Sequence, residues 1–170
     1  YVDLVQEGGG VLGIALAGSL LFSRWSKRLF ENYHRQNLAQ QAALQASEQK
    51  LATILDSVEA FIYIKGIDYR YLYANRRVRE LFGKSMEEIV GHDDSVFFDE
   101  QTVGTLRDND RRVLEHGERV AEEEVNTSLD GRVQSAYVSV KLPLRDAAGN
   151  IYALCGISTD ITARKLSEAE

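Results

Sequence analysis

Residues 69–83 read YRYLYANRRVRELFG. The run at 70–74 is short, apolar and aromatic, the composition that favours a strand. Asn75 suits a helix N-cap, because its side-chain oxygen can accept a free N–H of the first turn. Val78, Leu81 and Phe82 then share one helical face, and Gly83 is a natural stop. Strand, cap, helix and stop thus follow one another in fifteen residues.

Working outward, residues 60–65 (AFIYIK) form another strand-like run ended by Gly66, so 66–69 is the turn of a hairpin. Beyond Gly83, Ser85 with Glu88 three residues later has the spacing of a capping box, closed by Gly91. Residues 96–117 predict a longer helix carrying Val103, Leu106, Val113 and Leu114 amid dense charge. Three strands close the pattern at 119–127, 132–144 and 151–161, joined by Asp130-Gly131 and the loop at 146–150. Segregated helices and hairpin-linked strands predict an α+β domain with one antiparallel sheet. In the fourth strand Ala136, Val138, Val140 and Leu142 alternate with Tyr137, Ser139 and Lys141. The apolar set is expected to meet the helices, leaving the mixed set for the 51–58 helix or a second subunit.

The chain has 170 residues, 44% hydrophobic and 27% charged, which suits one ordinary domain with an extension. A net charge of −6 opposes phosphate binding, so nucleic acid is not an expected partner. The single cysteine, Cys155, cannot form an intramolecular disulfide and fits a reducing compartment.

The extension begins with an uncharged run at residues 8–22, followed by Trp25 and the cations Arg24, Lys27 and Arg28. The flanks predict a membrane span over residues 8–25 with the C-terminal side in the cytoplasm. The run is near the lower limit of the ~20 residues a bilayer needs, and a buried soluble helix is the alternative. Gly10, Gly13, Ala17 and Gly18 offer small faces for close packing of two such helices. An acidic start and the missing small-residue cleavage site argue against a signal peptide. The absence of an initial Met predicts a piece of a longer protein, with an extracytoplasmic part before it.

From Arg24 to about Val58 there is no Gly or Pro, and the composition predicts one long helix with a break near Ser47. Counting in sevens aligns Phe30, Asn37, Leu44, Leu51 and Val58, with Tyr33, Gln40, Ser47 and Ile54 beside them. A dimeric coiled coil and a single amphipathic helix both fit upstream of Ser47. Leu51, Ile54, Leu55 and Val58 are expected to pack on the chain's own domain.

Six fragments in order now carry a resemblance: SEQKLATILDSV, YRYLYANRRVRELFG, SMEEIVG, VLEHGERVAEEE, KLPLRDAAGN and GISTDITARK. Over residues 47–164 the chain resembles a PAS domain, a sensory module common in bacterial signalling. The resemblance implies a five-stranded antiparallel sheet with helices on one face, and a homodimer assembled through flanking helices. It further implies that Asp160 and Thr162, the Asp-Ile-Thr ending, hold the last strand to the helix that carries signals onward. Physically, Thr162 is suited to cap that helix and Asp160 to pair with Arg164.

Chemistry of other kinds finds little support. His34, His92 and His116 lack metal-type spacing, so no metal site is expected. The resemblance would place a haem ligand within the long helix or a photoreactive Cys after the hairpin helices. His116 stands at a helix end beside Gly117 and no Cys lies in that region, so neither haem nor flavin is expected. Cys155 reads as a small core residue. Adjacent strand residues point to opposite faces, so Glu122, Glu123 and Glu124 read as a solvated edge rather than a cation site. No catalytic constellation is evident, and this chain is not expected to be an enzyme. A small-molecule pocket, if the domain has one, should lie between sheet and helices, lined by Leu81, Phe82, Phe97, Leu106, Val113, Tyr137 and Ile157.

The sequence therefore predicts four segments. Residues 1–23 end an extracytoplasmic part and cross the membrane, 24–46 form a connecting helix, 47–162 the PAS domain, and 163–170 the start of an output-linking helix. The expected role is a cytoplasmic sensor or relay at the inner membrane. It would pass an input through dimer helices to a C-terminal output domain: a diguanylate cyclase, a cyclic di-GMP phosphodiesterase or a histidine kinase of a two-component system. The alternative is a passive dimerisation scaffold with a filled core and no ligand.

Overall fold

A computed structural model describes the backbone of residues 3–168 and the side chains of residues 22–168. The chain divides into two units, Tyr1–Lys50 and Leu51–Glu170. Helix α1, Asp3–Ser57, supplies the first unit and the opening residues of the second. It runs through Ser47 without the expected break, since an interior Ser costs a helix only a few tenths of a kcal/mol, ~0.5. The proposed span at residues 8–25 falls almost wholly outside the described side chains. Among the described residues, no helix is long and apolar enough to cross a membrane.

The second unit is a five-stranded antiparallel sheet with helices on one face. After α1 come β1 (Phe61–Gly66), β2 (Tyr71–Ala74), α2 (Arg76–Phe82), α3 (Met86–Ile89) and a single 3-10 turn, Asp94–Val96. Then follow α4 (Glu100–His116), β3 (Val120–Thr127), β4 (Gln134–Arg145), β5 (Ile151–Asp160) and α5 (Thr162–Glu168). The spatial order is β2-β1-β5-β4-β3, so the last strand lies at the centre. Phe61 faces Ser158 in register, which puts the start of β1 beside the end of β5.

The local signals act as their chemistry dictates. Asn75 caps α2 by accepting the Val78 N–H, and Gly83 ends it in the left-handed conformation, φ 62°. The capping box of Ser85 and Glu88 is formed. The long helix starts later than the expected residue 96, because two Asp caps compete. Asp93 accepts the Ser95 N–H and starts the 3-10 turn, whereas Asp99 accepts the Thr102 N–H and starts α4.

The orientation of β4 is the reverse of the expected one. Tyr137, Ser139 and Lys141 are the buried set beneath the helices, while Ala136, Val138, Val140 and Leu142 form a partly exposed outer face. Alternation identified the two faces but hydrophobicity chose the wrong one, because Asp110 of α4 and Glu124 of β3 bring carboxylates that neutralise Lys141. Similarly, of the α1 residues expected to pack on the domain, only Leu55 is partly covered. Leu51, Ile54 and Val58 remain 57%, 52% and 38% exposed.

Above the inner face the core combines Phe61, Tyr63, Val78, Ile89, Val113 and Leu154 with a set of aromatic contacts. Phe82 stacks on Phe97 with centroids 4.0 Å apart, and Tyr71 meets both rings edge-on.

Candidate functional site: a buried ion network and two helix junctions

Five formally charged side chains lie at the centre of the domain, all nearly inaccessible: Lys65, Asp94, Asp110, Glu124 and Lys141. β1 supplies Lys65, the 3-10 turn Asp94, α4 Asp110, β3 Glu124 and β4 Lys141. The Lys65 ammonium donates to Asp94 at 2.6 Å and Asp110 at 2.8 Å. Lys141 donates to the other Asp110 oxygen at 2.9 Å and lies 3.1 Å from Glu124. The Tyr71 hydroxyl donates to Asp94 at 2.7 Å, and the Asn109 amide to Glu124 at 2.8 Å.

Burial disfavours every charge here, yet the pairings prevail. Desolvation acts to lower the Lys65 pKa, but Asp94 and Asp110 hold it above the ordinary lysine range. Lys141 is raised in the same sense, with desolvation outweighed by Asp110 and Glu124. Asp110 is held below the usual carboxylate range, desolvation being overcome by the two lysines. Burial keeps the Tyr63 and Tyr71 phenols protonated, reinforced by Asp94 for Tyr71.

This network leaves a cavity of about 30 Å³ lined by Phe61, Tyr63, Lys65, Phe82, Glu124 and Tyr137 among others. A second hollow of about 60 Å³ shares Leu81, Phe82, Phe98, Asn126 and Tyr137 with it and extends toward Phe97 and Val133. Of the predicted pocket residues, Leu81, Phe82, Leu106 and Tyr137 line the first cavity and Phe97 lines the second. Val113 is fully buried in the core and lines neither. Ile157 lies on the outer face beside Val140 and Ile62, because the side chain of β5 that turns inward there is Ser158.

The run Glu122-Glu123-Glu124 is the expected solvated edge at its first two residues but not at the third. Glu122 pairs with Arg112, Glu123 with Arg164 and Lys165 of α5, and Glu124 is interior. Sequence reasoning passed over Lys65, Asp94, Asp110 and Lys141. The available signal was a lysine at an inward position in each of two strands whose neighbours were otherwise buried.

Two junctions connect the domain to its flanking helices. At the entrance, Asn75 is wholly buried and makes four bonds. Its Oδ1 accepts from Ile62 N and Val78 N, and its amide donates to the carbonyls of Leu55 and Ala60. Asp56 of α1 accepts the Arg76 N–H at 2.7 Å and pairs with Arg79 at 3.0 Å. At the exit, Thr162 Oγ1 accepts the Ala136 N–H of β4 at 2.9 Å, and Asp160 accepts the Thr162 N–H at 2.8 Å. Asp160 thus satisfies the helix start, the part expected of Thr162, while Thr162 reaches the sheet. Arg164 pairs with Glu123 at 3.2 Å, not with Asp160, because Glu123 on β3, two strands away from Asp160, faces α5.

The model of the PAS fold matches residues 55–166, about two thirds of the chain. The chain belongs to the PAS fold family. Among curated proteins this PAS chain is 31% identical over 137 residues to the methanogenesis regulatory histidine kinase FilI of Methanothrix harundinacea. It is 29% identical over 110 residues to a diguanylate cyclase of Vibrio cholerae. Those matches cover 81% and 64% of this chain but only 15% and 34% of the relatives' length. Among solved structures, the PAS domain of a Colwellia psychrerythraea protein superposes with a TM-score of 0.58 at 19% identity. That alignment covers 68% of this chain and 98% of the other, and it supports the fold. The chain thus shares its PAS domain with a histidine kinase and a diguanylate cyclase, of which it spans only a part.

Proposed function

We propose that residues 47–162 are a cytoplasmic sensor or relay module of a membrane-bound bacterial signalling protein. Input arrives through α1 and leaves through α5 to an output domain that follows the chain. A histidine kinase and a diguanylate cyclase among the relatives support an output of one of those classes, with a cyclic di-GMP phosphodiesterase as the third. The uncharged run at 8–22 with its basic flank supports an inner-membrane anchor. Homodimerisation is supported by the exposed apolar row Phe30, Tyr33, Leu44, Leu51 and Ile54 along α1. No cofactor is part of this proposal.

The observation that carries it is a pair of junctions, Asn75 and Asp56 at the entrance and Thr162 and Glu123 at the exit, which fasten the flanking helices to the body of the domain. The test is Asp160→Ala and Thr162→Val in the full-length protein. Both should keep the domain folded by circular dichroism while the output no longer follows the input. A normal response in both variants would refute the relay.

One observation favours the second reading, a passive dimerisation scaffold. The two hollows beneath the helices are small, about 30 and 60 Å³, and the first is close to the space of one water. In that case the junction variants change dimer affinity and leave output activity unaltered.

A further inference from the structure

The ion network holds three carboxylates and two ammonium groups, so at formal charge it carries one excess negative charge. Hydrogen-bond accounting places that excess on one atom. Asp94 uses one oxygen for Lys65 and the other for Tyr71. Asp110 divides its oxygens between Lys65 and Lys141. At Glu124, by contrast, both Asn109 and Lys141 bind Oε1. Among the described residues no hydrogen bond falls on Glu124 Oε2, although Glu124 is only 4% exposed and lines the cavity. The Tyr63 hydroxyl, on the same cavity wall, likewise has no hydrogen bond among the described residues. Among the described residues the sealed polar atoms without a partner are Tyr73 Oη and Arg77 Nε, so Glu124 Oε2 and Tyr63 Oη instead open onto the cavity and are free to bind what enters it.

Lys65 also lines the cavity, but its ammonium is already held by two aspartates and lies over the Tyr63 and Tyr71 rings. It has no spare charge to offer. A metal ion fits poorly, because among the described residues no group of three acidic, His or Cys side chains is placed to hold one. Aromatic faces surround the rest of the space: Phe61, Phe82, Phe98 and Tyr137. A carboxylate oxygen, a phenol and aromatic walls suit a cation that carries N–H donors. The second hollow, bounded by Leu81, Phe82 and Phe98, offers room for a short apolar tail.

We propose that this cavity binds a small primary amine in its protonated form, the ammonium on Glu124 Oε2 and Tyr63 and the tail running past Phe98 into the second hollow. This deepens the sensor reading and rests on it, since a bound amine would be the input. The site is internal to the domain and needs no second subunit.

The test uses the purified chain and propylammonium chloride, with 1-propanol, sodium propionate and sodium chloride as neutral, anionic and ionic-strength comparators. Calorimetry should give one site per chain for propylammonium, and thermal melting should show a rise in Tm that the comparators do not produce. Intermolecular NMR contacts should join the propyl protons to Tyr63 and Phe98. Glu124→Gln, which removes the excess charge, should weaken binding about tenfold or more, the loss of one charge-assisted hydrogen bond. Should that variant fail to fold, the NMR contacts in the unaltered protein decide the matter.

Equal stabilisation by 1-propanol, an absence of binding, or contacts elsewhere on the surface overturns the proposal. Loss of amine binding alone leaves the output test of the junction variants standing. Amine binding with no effect on output overturns the relay and leaves the ligand class intact.

Discussion

The hydroxyl of Thr162 accepts the backbone N–H of Ala136 at 2.9 Å, fastening the first residue of α5 to the neighbouring strand β4. Thr162→Val keeps the shape and deletes the acceptor. The expected cost is about 1–2 kcal/mol in denaturant unfolding, from one lost bond and one unsatisfied N–H. Hydrogen exchange at Ala136 should quicken, whereas amides in the core of β5 should keep their protection.

Glu123 holds both Arg164 and Lys165 on an exposed surface, and the Lys165 hydrogen bond draws its pKa below the usual carboxylate range. Glu123→Gln should barely change global stability in denaturant unfolding, because such exposed pairs are screened. Spin labels on α5 should nevertheless become more mobile, and salt should produce the same effect in the unaltered protein.

Asp110 is the only described side chain bonded to both buried lysines. Asp110→Ala leaves two ammonium groups short of a partner and should cost about 3–5 kcal/mol, measured by urea denaturation. Glu124→Gln, which keeps an acceptor for Lys141, should cost markedly less.

The same network sets the pH range of stability. The Asp110 pKa is depressed from an ordinary 3.8, so its contribution is present above that value and is lost as pH falls through the folded-state value. Those of Lys65 and Lys141 are raised from an ordinary 10.5, so theirs is present below that value and is lost as pH rises through the folded-state values. Melting temperatures should therefore form a plateau between about pH 4 and 10.5 and fall on both sides.

Tyr63 lies flat against Gly156 on the adjacent strand, so that a Cβ at 156 would overlap the phenol ring. Gly156→Ala should cost about 1–3 kcal/mol by overpacking. Tyr63→Leu in the same chain should recover part of that loss, as a double-mutant cycle would reveal.

How much of this was legible depended on the range of the interaction. Asn75, Gly83, Ser85 with Glu88 and Gly117 act within a few residues of themselves, and each does what its local chemistry predicts. The number of strands and the hairpins β1–β2, β3–β4 and β4–β5 followed from the same short-range signals, whereas the pairing of β1 with the distant β5 carries no such signal. The face of β4 did not, because the fate of Lys141 is decided by Asp110, thirty-one residues away. Glu124 was misjudged for that reason: its partners Asn109 and Lys141 lie on other elements. At the exit the residue types Asp160 and Thr162 were legible while their bonds were not, since Ala136 and Glu123 become neighbours only through strand pairing.

The register of Phe61 against Ser158 has an architectural corollary. Chain entry and chain departure occupy a single rim of the sheet, so everything from residue 61 to 158 closes on itself like a clasp. Such a body can be lifted out of a longer polypeptide, or repeated along it, while the helical segments on either side keep their course. Modular shuffling of this kind requires no new loop and no rerouted backbone.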